Sequence, residues 1–269
     1  MIDRSEFGSF LDQLQLLDLS LMSAVPTTAT VEDCRSLLAL QLVARKPGYT
    51  YLEIGSEKGG SLQTHLADPW CAKVFSIDLR VEEVADFRGR YNFYANNTTA
   101  SMRSNLVKVF DRDQMEKLLT FDLEATRVPR ESLTPAPSLI FIDAEHTDHA
   151  AYSDFFWALK TVDAVGWIAF HDAHLVCGGI RRALDELSSL GLEYGAGRFP
   201  DSSVFVIAIG SGAASRLSQI PVQLIEVDSF LCWARFTRWG ARITHWRDCF
   251  VSIIEANWHG LKRFVRGLK

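Results

Sequence analysis

The sequence has few cysteines, no long apolar run and no excess of positive charge. Its five cysteines stand at 34, 71, 177, 232 and 249 of 269 residues. No two form a CxxC pair, which excludes a zinc ribbon and a disulfide framework and leaves them as reduced, mostly buried thiols. No apolar run reaches the ~20 residues that span a bilayer. The opening MIDRSEFGSF lacks the basic-then-apolar order of a secretory signal, so a cytoplasmic protein is expected. There is no internal repeat and no low-complexity tract. With a formal charge of −5 and no recognition motif, a nucleic-acid partner is not expected.

What is present suits a globular chain with a sizeable core: 48% of residues are hydrophobic and 23% charged. Residues 5–23 carry Phe7, Phe10, Leu11, Leu14 and Leu17 at helical spacing, which predicts an amphipathic helix. A second helix is predicted behind Thr30 as N-cap, ending at Pro47 and Gly48.

From Tyr49 the pattern changes to short β-type runs alternating with helical stretches. Strands are expected at 49–55, 72–80, 90–95, 138–144, 166–173 and 202–210, and helices at 60–67, 100–120, 148–163 and 178–190. That order predicts an α/β fold, a doubly wound, Rossmann-like and mostly parallel sheet with helices on both faces. LIFI, WIAF and VFVIAI read as buried parallel strands. The stretch 121–137, with three prolines, reads as a surface loop. The implied organisation is 1–48 as leading helices, 49–212 as a catalytic domain and 213–269 as a basic, aromatic helical extension.

The first strand runs into LEIGSEKGGS. Gly55 lets the chain turn, Gly59 and Gly60 allow close approach of a ligand, and Ser61 stands where a helix exposes free N–H groups. Asp78 lies 18 residues after Gly60, at the end of the second run, where an acid can bind ribose hydroxyls. Neither GxGxxG nor GxxxxGK[ST] is present. With Glu53 before the turn, the set points to a nucleoside-bearing cofactor other than a dinucleotide.

Two further runs end in acids and imidazoles: LIFIDAEHTDH holds Asp143 and His146, and IAFHDAH holds His171 and Asp172. Parallel strands open their carboxyl ends onto one crevice, so these four side chains are expected together. Asp143, Asp172 and His171 have donors for a divalent cation, magnesium or a softer metal. Without one, a histidine or aspartate is a general base. An Asp capping a turn at a strand end is the plainer reading of each alone. His149 and His174 read as surface or structural, and Tyr152 and Asp154 as packing or support.

The ordered set LEIG-x-x-x-GGS, IDL, FIDAEHTDHAAYSDFFWAL and GWIAFHDA with GGIRRALDEL resembles the class I S-adenosylmethionine-dependent methyltransferases. Within them it is similar to the branch with a D-G-D-H-like motif after strand four and HD after strand five. The resemblance spans roughly 49–190. It implies that Glu53, Gly55, Ser56, Gly59, Ser61, Asp78 and Asp143 bind S-adenosylmethionine, with Glu53 and Gly55 beneath its methionine part. It places an adenine contact near Asn96–Thr98. Catalysis would fall to Asp143, His146 and His171, and a metal to Asp143, Asp172 and His171. The implied reaction is methylation of an oxygen on a small-molecule or sugar acceptor by a homo-oligomer. Glu145 and Ala173 depart from the family pattern, and Ala173 cannot ligate. Two alternatives stay open: a non-catalytic scaffold on this fold, and a cephalosporin-hydroxylase-like enzyme.

From Phe230 to Lys269 eight Lys/Arg face two acids, a net +6 that leaves −11 on the remainder. Arg235, Arg238 and Arg242 alternate with Trp239 and Trp246. This extension reads either as a peripheral contact with an anionic membrane or anionic substrate, or, more simply, as a helix packed on the acidic body or a second subunit.

Overall fold

A computed structural model describes residues 4–241. Arg242, Trp246 and the rest of the basic extension, with the readings placed on them, lie outside the described residues. Nine strands run in chain order: β1 Tyr49–Ile54, β2 Cys71–Ile77, β3 Glu83–Ala85, β4 Tyr91–Phe93, β5 Leu118–Phe121, β6 Leu139–Ile142, β7 Gly166–Phe170, β8 Tyr194–Arg198 and β9 Phe205–Ile209. The α-helices include α1 Arg4–Gln15, α2 Val31–Ala44, α3 Gln63–Ala67, α4 Thr99–Leu106, α5 Arg112–Met115, α6 Asp148–Leu159, α7 Cys177–Ser189 and α8 Ala213–Leu217. Residues 227–241 form a further helix, the last among the described residues and called here the terminal helix.

Seven strands make one sheet in the order β5-β2-β1-β6-β7-β9-β8. Its pairs are parallel except those of β9, which runs against β7 and β8. The sequence order reverses between β1 and β6, the place where open α/β sheets form a ligand crevice. Register sharpens this. Phe121 pairs with Ile77, Ile77 with Ile54, Ile54 with Ile142 and Ile142 with Phe170. The next residue on each strand, Asp122, Asp78, Gly55, Asp143 and His171, therefore forms a row along the carboxyl edge.

Every residue of β1, β6, β7 and β9 is buried, as the apolar runs predict. Side chains alternate between two cores. Tyr49, Tyr51, Phe141 and Trp167 pack with Phe10, Leu14, Leu38 and Leu40 from the leading helices. Leu52, Ile54, Ile140 and Ile168 pack with Phe155, Ile180 and Phe230 on the opposite face. The leading helices thus supply one whole layer of the core. α2 begins at a capping box in which Thr30 and Asp33 bond each other's backbone.

Two expectations fail. The run at 90–95 is not the third strand of the sheet: β4 pairs only with β3, as an antiparallel ribbon. The Asp86 carboxylate accepts from the N–H groups of Arg88 and Arg90, folding the chain into a hairpin before it can reach the sheet edge. The helix expected at 100–120 is broken. A new capping box at Asp111 and Gln114 starts α5, and Leu118–Phe121 then joins β2 as the true third strand. The strand β8 was not foreseen, because YGAGR lacks β-type residues.

Candidate active site

The row of strand ends opens onto a cleft of about 1330 Å³. It is walled by the β3–β4 hairpin, the segment 123–126, the start of α6, and Thr28, Thr30 and Asp33 from the leading helices. Gly55, Asp78, Asp143, His146, His171 and Asp172 all line it. Glu53, Ser56, Gly59 and Ser61 do not.

At the β1–β2 side, most polar groups are hydrogen-bonded within the protein, Arg80 Nε excepted. Gly55 has φ +91°, and a Cβ there would lie 2.1 Å from the Asp143 carbonyl oxygen. Only glycine allows the ends of β1 and β6 to approach so closely. Asp78 accepts from the Glu57 N–H at 3.0 Å and the Arg80 N–H at 2.8 Å. Arg80, not singled out by sequence reasoning, is the hub of this side. Its guanidinium donates to the Glu57 carbonyl at 2.8 Å, Ser56 Oγ at 3.1 Å and Ser76 Oγ at 3.1 Å, and pairs with Asp78 at 3.3 Å. Ser56 is thereby held behind the turn.

Glu53 is buried and accepts from the hydroxyls of Tyr51 and Ser61. Burial pushes its carboxyl up to about 8, with Asp143 and Asp78 adding to the rise and the two hydroxyls opposing it. Gly59 and Gly60 face protein: a Cβ at Gly60 would meet the Pro26 carbonyl oxygen at 2.5 Å. Gln63 fixes that same 22–26 strap through the N–H groups of Ala24 and Val25 and the carbonyls of Met22 and Val25.

The β6–β7 side differs. The four side chains expected together do meet. His171 Nδ1 lies 3.0 Å from Asp143 Oδ1 and 3.9 Å from Asp172 Oδ2. His146 Nε2 lies 3.6 Å from Asp143 Oδ1 and 3.5 Å from Asp172 Oδ2, too far for good hydrogen bonds. Both ring nitrogens of His146 are buried without a partner. Donor atoms of Asp143, His146 and His171 all lie within 4.8 Å of one another. Asp172 has φ +45°, a strained conformation for a side-chain-bearing residue, of the kind that clusters at functional sites. Ala173 is fully buried in the core.

Asp33 completes this side and was missed as a site residue. Its Oδ2 lies 3.3 Å from His171 Nε2, while Oδ1 accepts from Ser202 Oγ, Ser203 N–H and Ser203 Oγ at 2.7–3.0 Å. Burial opposes a charge on His171, but Asp143, Asp33 and Asp172 around it hold its pKa well above the usual imidazole value. Burial likewise works to raise Asp143, and the two histidines hold it below its ordinary range. The only linear sign of Asp33 was the T-x-x-D capping box, which says nothing about a partner 138 residues away.

Tyr94, on the hairpin, also faces the cleft. Burial and the carboxylates of Asp143, Glu57, Asp172 and Asp78 push its phenol up to about 12. Asp154, also in the wall, is pushed up to about 7 by burial and by Glu145 and Glu124. Asn97 lines the cleft, while Thr98 caps α4. The true third strand brings Leu123, Glu124, Ala125 and Thr126 to the wall as well.

Residues 52–173 match a family model described as a methyltransferase domain. Over that stretch the chain is similar to methyltransferase domains. The stretch holds the end of β1 with β2, β5, β6 and β7, and so every residue of the row at the carboxyl edge. No curated protein matches the chain. Among solved structures, the chain is similar to an O-methyltransferase from Bacillus cereus in complex with SAH, at 15% identity over 76% of this chain and 91% of that one, TM-score 0.47. It is similar to TomG from Streptomyces achromogenes, an O-methyltransferase involved in tomaymycin synthesis solved with SAM, at 15% identity over 79% and 100%, TM-score 0.47. A ribosomal protein L11 methylase from Lactobacillus delbrueckii subsp. bulgaricus matches at 12% over 69% and 80%, TM-score 0.45. Nothing about ligand or acceptor follows from likeness at this level.

Proposed function

We propose that the protein is an S-adenosylmethionine-dependent methyltransferase acting on an oxygen of a small-molecule or sugar acceptor. The observation that carries this is the row Asp78, Gly55, Asp143 and His171 opening onto one cleft within a methyltransferase domain. The cleft, at about 1330 Å³, exceeds the ~300–1,000 Å³ of a single small-molecule site and has room for donor and acceptor side by side.

Asp78 receives the ribose hydroxyls, held in place by the N–H groups of Glu57 and Arg80. Gly55 lets the cofactor lie against bare backbone. Glu53 and Ser61, just behind the wall, set the charge beneath the methionine portion. Ser56 and Gly59 act on the cofactor through the turn they shape. Transfer is an in-line displacement, and the protein contributes mainly the alignment of sulfonium and acceptor oxygen. His146, with a buried and unpartnered Nε2 in the cleft, takes the acceptor's proton. Asp143 and Asp172 on either side stabilise the imidazolium that forms.

The donor set also fits a divalent cation. Asp143, Asp172 and His171 would hold it, with Asp33 on the far nitrogen of His171 fixing the ring in the manner of carboxylate–histidine–metal groups. Two oxygens and one imidazole suit manganese, iron or zinc as well as magnesium. A cation there would orient acceptor oxygens and lower the pKa of the attacking one. A cytoplasmic location and a homo-oligomer belong to the same reading; among the described residues no helix is long and apolar enough to cross a membrane.

The test is product analysis by mass spectrometry after incubation with S-adenosylmethionine and hydroxylated acceptors. S-adenosylhomocysteine should form together with an acceptor heavier by one CH2, and both should be lost in His146→Ala. An oxygenated product without the demethylated cofactor would establish the hydroxylase alternative instead.

A further inference from the structure

The terminal helix divides into two faces. Phe230, Leu231 and Ala234 are buried against the sheet layer. Arg238 is anchored on the same side: it donates to both carboxylate oxygens of Asp148 at 2.8 and 2.9 Å and covers the Phe87 ring of the hairpin at 4.6 Å. The opposite face carries Cys232, Phe236 and Trp239 at i, i+4 and i+7, one stripe of a helix. All three are exposed, Phe236 by 73% and Trp239 by 61%. Arg235 is exposed beside them. Two large aromatics at the outermost pole of a packed helix are what a soluble surface avoids.

We propose that this face docks the protein on an anionic lipid surface. Aromatic side chains beside arginines are the composition of an interfacial helix, the rings entering the headgroup boundary and the cations meeting lipid phosphates. Charge complementarity selects the lipid. The chain from Phe230 onward is +6 while the remainder is −11, so an anionic surface attracts this end and repels the rest, which orients the protein as it lands. A second copy offers a poorer seat. Among the described residues the other exposed large apolar side chains include Leu16, Val31, Val107, Val165 and Leu190, scattered over separate elements; Tyr91 and Phe93 belong to the cleft's own hairpin. Because Arg238 joins the other face of the helix to Phe87 and Asp148, docking sets the helix between the bilayer and the hairpin wall of the cleft. The inference is independent of the acceptor's identity and of the methyl-transfer reading.

The experiment is sedimentation of the full-length protein with vesicles of phosphatidylglycerol and phosphatidylcholine, and with phosphatidylcholine alone. Binding should favour the anionic vesicles by roughly tenfold and weaken at high salt, as surface electrostatics requires. The double variant Phe236→Asp, Trp239→Asp should lose roughly tenfold in vesicle affinity, since its apolar insertion is gone. Its unfolding midpoint and S-adenosylmethionine binding should stay at the wild-type values, because neither side chain touches the core or the cleft. Absence of vesicle binding by the wild type, or equal binding by the variant, overturns the proposal. So does a wild-type dimer that becomes monomeric in the variant without any lipid binding, which would assign the face to a second copy.

Discussion

The two sides of the cleft are built in opposite ways. At β1 and β2 the carboxylates and hydroxyls named in the site are hydrogen-bonded inside the protein, Asp78 on two N–H groups, Ser56 on Ser76 and Arg80, Glu53 on two hydroxyls, with Arg80 Nε the exception. At β6 and β7, His146 makes no hydrogen bond on either ring nitrogen and is held only at ion-pair distance from Asp143 and Asp172. The first side is rigid and preformed, suited to a cofactor whose shape never varies. The second leaves buried polar atoms unpaired, a state that costs about 1–3 kcal/mol per group and that a reacting guest relieves.

The comparison breaks most severely at the point where the two sides touch. Gly55→Ala would drive a Cβ into the Asp143 carbonyl and force both strand ends apart, with a stability loss of about 3 kcal/mol or more; a urea titration measures it, and a loss under 1 kcal/mol would mean the strand ends yield. His146→Ala tests the open side. The methyl-transfer rate should fall roughly 100-fold, as for a lost general base.

Asp33→Ala comes next. It strips acceptors from His171, Ser202 and Ser203, and about 2 kcal/mol of stability should go with them, measured by the same titration.

Glu53 gives an effect that appears only as pH changes. Its folded value of about 8 stands above the ordinary 4.5. Between those values the unfolded chain has released the proton that the folded chain keeps, so stability falls as pH rises through that window. Glu53→Gln should flatten the fall; an unchanged slope would show that Glu53 ionises freely when folded.

The preformed side was the more legible in sequence. Gly55, Glu53 and Asp78 stand at fixed spacings around one strand–turn–helix unit, and local spacing is what a sequence displays. The acids and imidazoles of LIFIDAEHTDH and IAFHDAH were legible too, because parallel strands align their ends. Asp33 and Arg80 were not. Asp33 reaches His171 only through the packing of α2, and Arg80 acts by filling a gap among groups that are separated in the chain. The third strand was misplaced for a related reason: YNFYA has the stronger β composition, yet the Asp86 turn commits it to a hairpin, and the weaker LLTF completes the sheet because it lies beside β2. Composition ranks strands by appetite, whereas tertiary pairing decides which of them join.

The central claim is that one side of the cleft holds the cofactor and the other performs the transfer. Calorimetric titration of the full-length protein, Asp78→Ala and His146→Ala with S-adenosylhomocysteine tests it most directly. The expected result is a single site per chain, weakened roughly tenfold or more by Asp78→Ala, about 1.4 kcal/mol, and left intact by His146→Ala. No binding to the wild type, or equal losses in the two variants, would contradict the division of the cleft.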